Sequence, residues 1–200
     1  MTRIHSLPVE QWDPELREIA HADQLPEVQQ KMLGVYANAP NLAKPYLRFT
    51  GEQGQAFTMS RRLLELVRLR IAFHNQCRSC MAVRYESALA DGLTEDLVCS
   101  LEQPYEAPDL TDAEKAALRF ADLFATNHLA IDDAMIENLR QHFSEQHIVE
   151  LCMQCAYCVG YGRMAATYRI IEELPKSFQD TERKVAPWEA GHSEKLAIKA

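Results

Sequence analysis

Residues that build sheets and tight turns are scarce in this sequence. Val, Ile and Thr together number 26 and glycine 7, against 85 for Ala, Leu, Glu, Gln and Met. β-branched side chains favour strands and unbranched ones favour helices, so this pool excludes a β-rich fold and implies an all-α one. No stretch approaches the roughly 18 consecutive apolar residues of a transmembrane helix. The opening residues 1–8 lack the apolar centre of a secretory leader, and the chain is expected in the cytoplasm, away from the membrane. An excess of basic charge is missing too: 21 Lys and Arg meet 29 Asp and Glu, a formal charge of −8. Nucleic acids and anionic membrane surfaces are recognised by basic faces, so neither is expected as a partner. At 200 residues the chain can bury a core without metal or disulfide staples.

What is present reads as a succession of helices with clear punctuation. The patterning predicts helices over about 13–23, 26–37 and 45–55, then a long segment from Ser60 that stops at Asp91-Gly92. A short helix over 95–101 and a Pro-rich loop follow. Thr111 and Glu114 are spaced as a capping box for a helix whose inner face is Ala117, Phe120, Ala121 and Phe124. Helices over 132–142 and 144–173 complete the set. The implied division is an N-terminal helical extension (1–39), a helical domain (40–175) and a polar C-terminal arm (176–200), read as a loose tail anchored by Trp188.

Chemistry concentrates between Arg61 and Arg84. Seven of the eleven residues from Leu63 to Phe73 are large and apolar and point all round a helix, which marks it as buried. Glu65 inside it needs a counter-charge, and Arg61 and Arg68 lie on its side at i−4 and i+3. The pair is either a structural ion pair or a carboxyl tuned to pass a proton. Asn75 and Gln76 then predict a turn, with Cys77 in the first turn of a new helix running to Ala90. A thiolate there is stabilised by unpaired N–H groups, and Cys80 lies one turn on. Six arginines and one acid between 61 and 84 give a local charge of +5. The Cys77-x-x-Cys80 pair in that field reads as a reactive dithiol, with a zinc half-site or two small core residues as the alternatives. Cys152, Cys155 and Cys158 fall on one helical stripe and read as core packing. Gly160 and Gly162 read as points of close helix approach. No metal or cofactor is expected.

Glu65, eleven residues, Cys77-x-x-Cys80 and then Asp91-Gly92-Leu93 resemble the AhpD-like alkylhydroperoxidase and carboxymuconolactone decarboxylase superfamily. The resemblance implies an AhpD-like helical bundle, assembly as a homo-oligomer (trimer or hexamer), and thiol-dependent reduction of a small hydroperoxide with a dithiol partner as reductant. It implies that Cys80 meets the peroxide, that Cys77 resolves it to a disulfide, and that Glu65 belongs to a proton relay; bare electrostatics would favour Cys77 as the thiolate. The active pattern carries a His where this chain has Arg84, and the best-studied type has another where this chain has Ser79. His74 is then the substitute in the relay, or simply a helix-end histidine bonded to backbone. Arg84 can stabilise a thiolate but cannot shuttle a proton. The alternatives are a lyase acting on a small carboxylated ring compound, and a non-catalytic oligomer whose thiols bind metal or sense oxidant.

Overall fold

The computed structural model describes residues 2–189 and 195–198. Its N-terminal third contains α1 (Pro14–Ile19), α2 (Glu27–Tyr36) and α3 (Pro40–Ala56). Asp13 caps α1 by accepting the Leu16 N–H at 3.0 Å, and Pro26 leads into α2 as expected. The third helix begins at Pro40, five residues before the expected start, and carries Pro45 inside it. A first-turn proline loses no helical N–H bond, whereas Pro45 forfeits one and is tolerated within a 17-residue helix. Val9, Trp12, Leu16, Ala22, Ala37 and Ala43 form a small core of their own between these elements. The entering strand of chain is laid so close on α2 that a Cβ at Gly34 would stand 2.5 Å from the Leu7 carbonyl oxygen.

The chain then enters α4 (Arg61–Asn75), which is apolar on all sides and is buried as that pattern requires. Leu66, Val67, Leu69 and Ile71 have no exposed surface. After it come α5 (Arg78–Ala82), β1 (Val83–Tyr85), α6 (Glu86–Ala90), α7 (Glu95–Cys99), α8 (Asp112–Thr126), α9 (Asp133–Arg140), α10 (Glu145–Tyr168), α11 (Lys176–Gln179) and β2 (Leu196–Ile198). Helix α4 is sandwiched between α8 and α10, and Ala117, Leu118, Phe120, Ala121, Leu151 and Cys155 close the main core around it. Truncating one such leucine to alanine costs about 2–5 kcal/mol, so the position of α4 is held tightly. Its N-terminus is held twice. Ser60 Oγ accepts the Leu63 N–H, and Asp91 accepts from Ser60 Oγ at 2.6 Å and from the Arg62 N–H at 2.9 Å. Gly92, at φ +86°, turns the chain there, and Leu93 enters the core.

Among the described residues the architecture is all-α, as the composition implies, with one local exception. The helix expected over 77–90 breaks into α5, the extended β1 and α6. β1 pairs in parallel with β2, Val83 opposite Leu196 and Tyr85 opposite Ile198. The Thr111–Glu114 capping box forms in full. Helix α10 stops at Tyr168, where Arg169 adopts a left-handed conformation (φ 53°), rather than at 173. The arm expected to be loose is packed over 176–189: Phe178, Val185 and Ala186 are buried, and the Trp188 ring packs tilted against Phe73 with centroids 4.7 Å apart.

Candidate active site

The predicted turn after α4 is made by Gln76 alone, in a left-handed conformation (φ 52°). Cys77 follows as the N-cap of α5, one position earlier than expected, and its Sγ accepts the Cys80 N–H at 3.3 Å. The two cysteines are bonded to each other, with Cα atoms 5.2 Å apart. Cys77 is wholly buried. Cys80 is half-buried and packs beside Ala72, Met81, Ile171, Phe178 and Val185. The side of the pair nearer solvent is therefore Cys80, against the C-terminal segment.

Glu65 and Arg68 meet as their spacing predicts. Arg68 donates from Nε and Nη2 to the two carboxylate oxygens at 2.6 and 2.7 Å, and the pair is almost fully buried at 2% and 8% exposure. The remaining donors of Arg68 reach the Cys80 carbonyl at 2.6 Å and the Val83 carbonyl at 2.9 Å. Tyr85 adds its N–H to Glu65 at 3.3 Å and its ring lies 5.0 Å under the guanidinium. Burial opposes the charge on Arg68, and the Glu65 carboxylate outweighs it and holds the group above its ordinary pKa. Glu65 thus contacts the cysteine loop through Arg68 rather than through sulfur. Arg61, the other expected neighbour, instead donates to the Gly54 and Phe57 carbonyls.

His74 and Arg84 are both committed elsewhere. His74 Nε2 lies 2.6 Å from Asp122, not on backbone. Asp122 also receives Arg70 at 2.7 Å and the Tyr105 hydroxyl. Burial pushes the Asp122 carboxyl up, but these three donors outweigh it and bring its pKa down to about 2. Arg84 is fully buried. It donates to both oxygens of Glu95 at 3.1 Å, to the Met81 and Val83 carbonyls, and to the Pro187 carbonyl at 3.2 Å. Burial lowers its pKa and Glu95 offsets part of that. This set of acceptors is why the chain is extended at β1. Ser79 is buried, with its hydroxyl 3.6 Å from Cys77 Sγ.

Three residues escaped the sequence reading. Asp122 lies off the apolar face of α8 and reads by itself as an ordinary solvent-side acid. Glu95 and Tyr85 carry no local signal. The three cysteines of α10 are packing residues, as their stripe implies: Cys155 and Cys158 lie in the main core with Cys152 against it. Burial pushes the Cys158 thiol up to about 12, with Arg68 pulling down and Glu65 adding, and raises Cys155 and Cys152 too. Of the two glycines, Gly162 does meet another helix, since a Cβ there would lie 2.5 Å from Asn75 Nδ2, while Gly160 faces open space.

Residues 40–123 match the Carboxymuconolactone decarboxylase family. Two uncharacterized proteins from different strains of Mycobacterium tuberculosis are 42% identical over 90 residues, 44% of this chain; the match spans only 31% of their own length. Among solved structures, a protein of unknown function from Agrobacterium tumefaciens, suggested to be an antioxidant defence protein AhpD, is 26% identical. It superposes with a TM-score of 0.58, covering 67% of this chain and 92% of its own. At 16% and 17% identity, two further structures show the shared fold. One is the alkylhydroperoxidase AhpD core of an uncharacterized peroxidase-related protein from Ralstonia eutropha (TM-score 0.68, 89% of this chain and 94% of that one). The other is the debrominase Bmp8 with 2,3,4-tribromopyrrole (TM-score 0.65, 95% of each chain). Over residues 40–123 this chain is thus similar to the carboxymuconolactone decarboxylase family, and its all-helical fold is shared with the AhpD-like structures.

Proposed function

We propose that the chain is a thiol-dependent hydroperoxide reductase. The observation that carries the reading is the bonded Cys77–Cys80 pair at the end of a buried helix, with Cys80 the more exposed sulfur. In the reduced enzyme, the Cys80 thiolate attacks the terminal oxygen of a hydroperoxide. The alcohol leaves with a proton, and Cys80 becomes a sulfenic acid. The Cys77 thiol displaces water from that sulfur and forms the disulfide, which a dithiol partner reduces by exchange. Arg68 holds the loop through the Cys80 carbonyl. Glu65 neutralises and orients Arg68, which makes both of them positioning residues. The substrate's own hydroperoxyl proton stays on the sulfenic acid; the proton for the departing alkoxide comes from solvent, because His74 is bound to Asp122 and Arg84 to Glu95.

Assembly as a homo-oligomer belongs to the same reading. It is supported by the exposed apolar residues Leu42 and Phe49 on α3 and Val149 and Met153 on α10. No helix among the described residues is long and apolar enough to cross a membrane. Four unpaired cysteines, Cys99, Cys152, Cys155 and Cys158, suit a reducing compartment such as the cytoplasm. Stopped-flow oxidation of the reduced protein tests the function: two thiols are lost per equivalent of alkyl hydroperoxide, and Cys80→Ser abolishes the fast phase. An unchanged fast phase in Cys80→Ser, or none in the unaltered protein, refutes it.

A further inference from the structure

Cys80, the sulfur nearer solvent, lies under residues 176–189. Phe178 and Val185 pack beside it at 1% and 2% exposure, while the residues between them, 179–184, are exposed. The fastenings come from the cysteine loop itself. Gln76, next to Cys77, donates from Nε2 to the Val185 carbonyl and accepts the Val185 N–H, both at 3.1 Å. Arg78, between the cysteines, donates to the Arg183 carbonyl at 2.6 Å and is attracted by the Asp180 and Glu189 carboxylates. Arg183 bridges those same two acids at 3.3 and 2.7 Å, which braces the segment as one body. Its near end follows Ile170, Ile171 and Leu174, all buried. Its far end is tied down by Arg84 on the Pro187 carbonyl and, further on, by β2 on β1. The segment is thus fixed at both ends and held in the middle by a few side chains.

Two observations set opening against closure. Ser177 Oγ is the one buried side-chain nitrogen or oxygen among the described residues without a hydrogen-bond partner. A hydroxyl stripped of water in this way is destabilising, and lifting the segment returns it to water. The other is the position of the disulfide. Once reduced, the bond gives way to two thiols that must stand at van der Waals separation. Cys77 is wholly buried, with the Ser79 hydroxyl 3.6 Å from its sulfur. The room has to come from the Cys80 side, where Phe178 and Val185 lie, and a close-packed interior resists such an intrusion. We propose that residues 176–189 form a redox-coupled strap, shut over the oxidised pair and released when the Cys80 sulfur takes the space of Phe178 and Val185. The inference rests on the redox reading above only in that Cys77 and Cys80 pass between disulfide and dithiol. Its consequence is order: a reductant reaches the oxidised pair only when the strap opens, and the reduced Cys80 is left uncovered for the next reactant.

Hydrogen exchange read by mass spectrometry tests this on the oxidised protein and on the same protein in excess dithiothreitol, whose two thiols open the disulfide by exchange and leave as a cyclic disulfide. Amides over 176–186 should exchange at least tenfold faster after reduction, with those of α4 and α8 unchanged. Cys80→Ala removes the bond and the intruding sulfur together and should keep the slow exchange. The rate of reduction, followed as two newly alkylated cysteines, should level off at high dithiothreitol, where opening limits it. Gln76→Gly cuts both bonds to Val185 while suiting the left-handed turn, and should raise that plateau roughly tenfold. Ser177→Ala removes the unmet hydroxyl and should lower it roughly fivefold. If Gln76→Gly fails to fold, Ser177→Ala and the unaltered protein decide. Exchange over 176–186 that is the same in both redox states, or as fast in Cys80→Ala as in the reduced protein, overturns the strap. A reduction rate that stays proportional to dithiothreitol and is indifferent to both variants overturns it as well. No arm uses peroxide, so release on reduction in a protein without peroxide turnover retains the strap and overturns the peroxidase reading.

Discussion

Replacing Arg68 with methionine tests whether the Glu65–Arg68 pair organises the cysteine corner. The change keeps most of the side-chain volume and removes four hydrogen bonds: two to Glu65 and one each to the Cys80 and Val83 carbonyls. Glu65, at 2% exposure, is left with the 3.3 Å contact from the Tyr85 N–H. Breaking one side of a buried pair costs about 3–5 kcal/mol because the partner charge stays uncompensated. For a chain of this size that is a fall of roughly 6–20 °C in melting temperature. Replacing both members, Glu65→Leu with Arg68→Met, removes the orphaned charge and should recover most of the loss, since well-packed apolar substitutes for a buried pair are often neutral or better. Urea denaturation of the three variants under reducing conditions measures the energies. Thiol oxidation rates in the same variants measure the consequence at sulfur, and the double variant should stay slow while regaining stability. A double variant no more stable than Arg68→Met would refute the argument, for the damage would then come from the lost carbonyl contacts and not from buried charge.

Acid stability should report on Asp122. Its pKa is lowered from 3.8 to about 2 in the fold, so it contributes stability that is fully present above the unfolded value and lost as pH falls through the folded one. The amount is about 2 kcal/mol, and Asp122→Asn should flatten the denaturation free energy between pH 4 and 2; an unchanged slope would count against the depressed pKa. Met153→Glu, on the exposed face of α10, should convert the oligomer to monomers in light scattering, and a protein monomeric to begin with contradicts the proposed assembly. Mild oxidation followed by alkylation and peptide mapping should find Cys77 and Cys80 paired and Cys155 and Cys158 as slow-reacting thiols, because burial raises the pKa of both. A disulfide among residues 152–158 would displace the site assignment.

Legibility in the sequence followed distance along the chain. The burial of α4, the turn at Gln76, the Thr111 capping box and the Glu65–Arg68 contact each depend on residues within about one helical turn, and each is readable by eye. The break at Val83–Tyr85 is not, because the acceptors that hold Arg84 there include Glu95, eleven residues on, and Pro187, 103 residues on. Helical propensity at 77–90 is overridden by partners that the local pattern does not contain. The same limit explains Arg84 at the site. A charged residue beside a cysteine reads as its electrostatic neighbour until the acid that claims it is located. Neither reading of His74, as a relay member or as a backbone-bonded histidine, contains Asp122, which lies 48 residues away.

The route of the chain through the cysteine corner sets an order of events during synthesis. Gln76 exchanges two hydrogen bonds with Val185 across 109 residues, and Arg84 waits for the Pro187 carbonyl. Such distant contacts form late, after the entropy of closing a long loop has been met. A ribosome-bound chain therefore carries both thiols past the exit tunnel well before the segment that covers them exists. Through that interval the pair is open to any oxidant or disulfide-exchange enzyme nearby, so its two sulfurs are more accessible in the nascent protein than in the finished one.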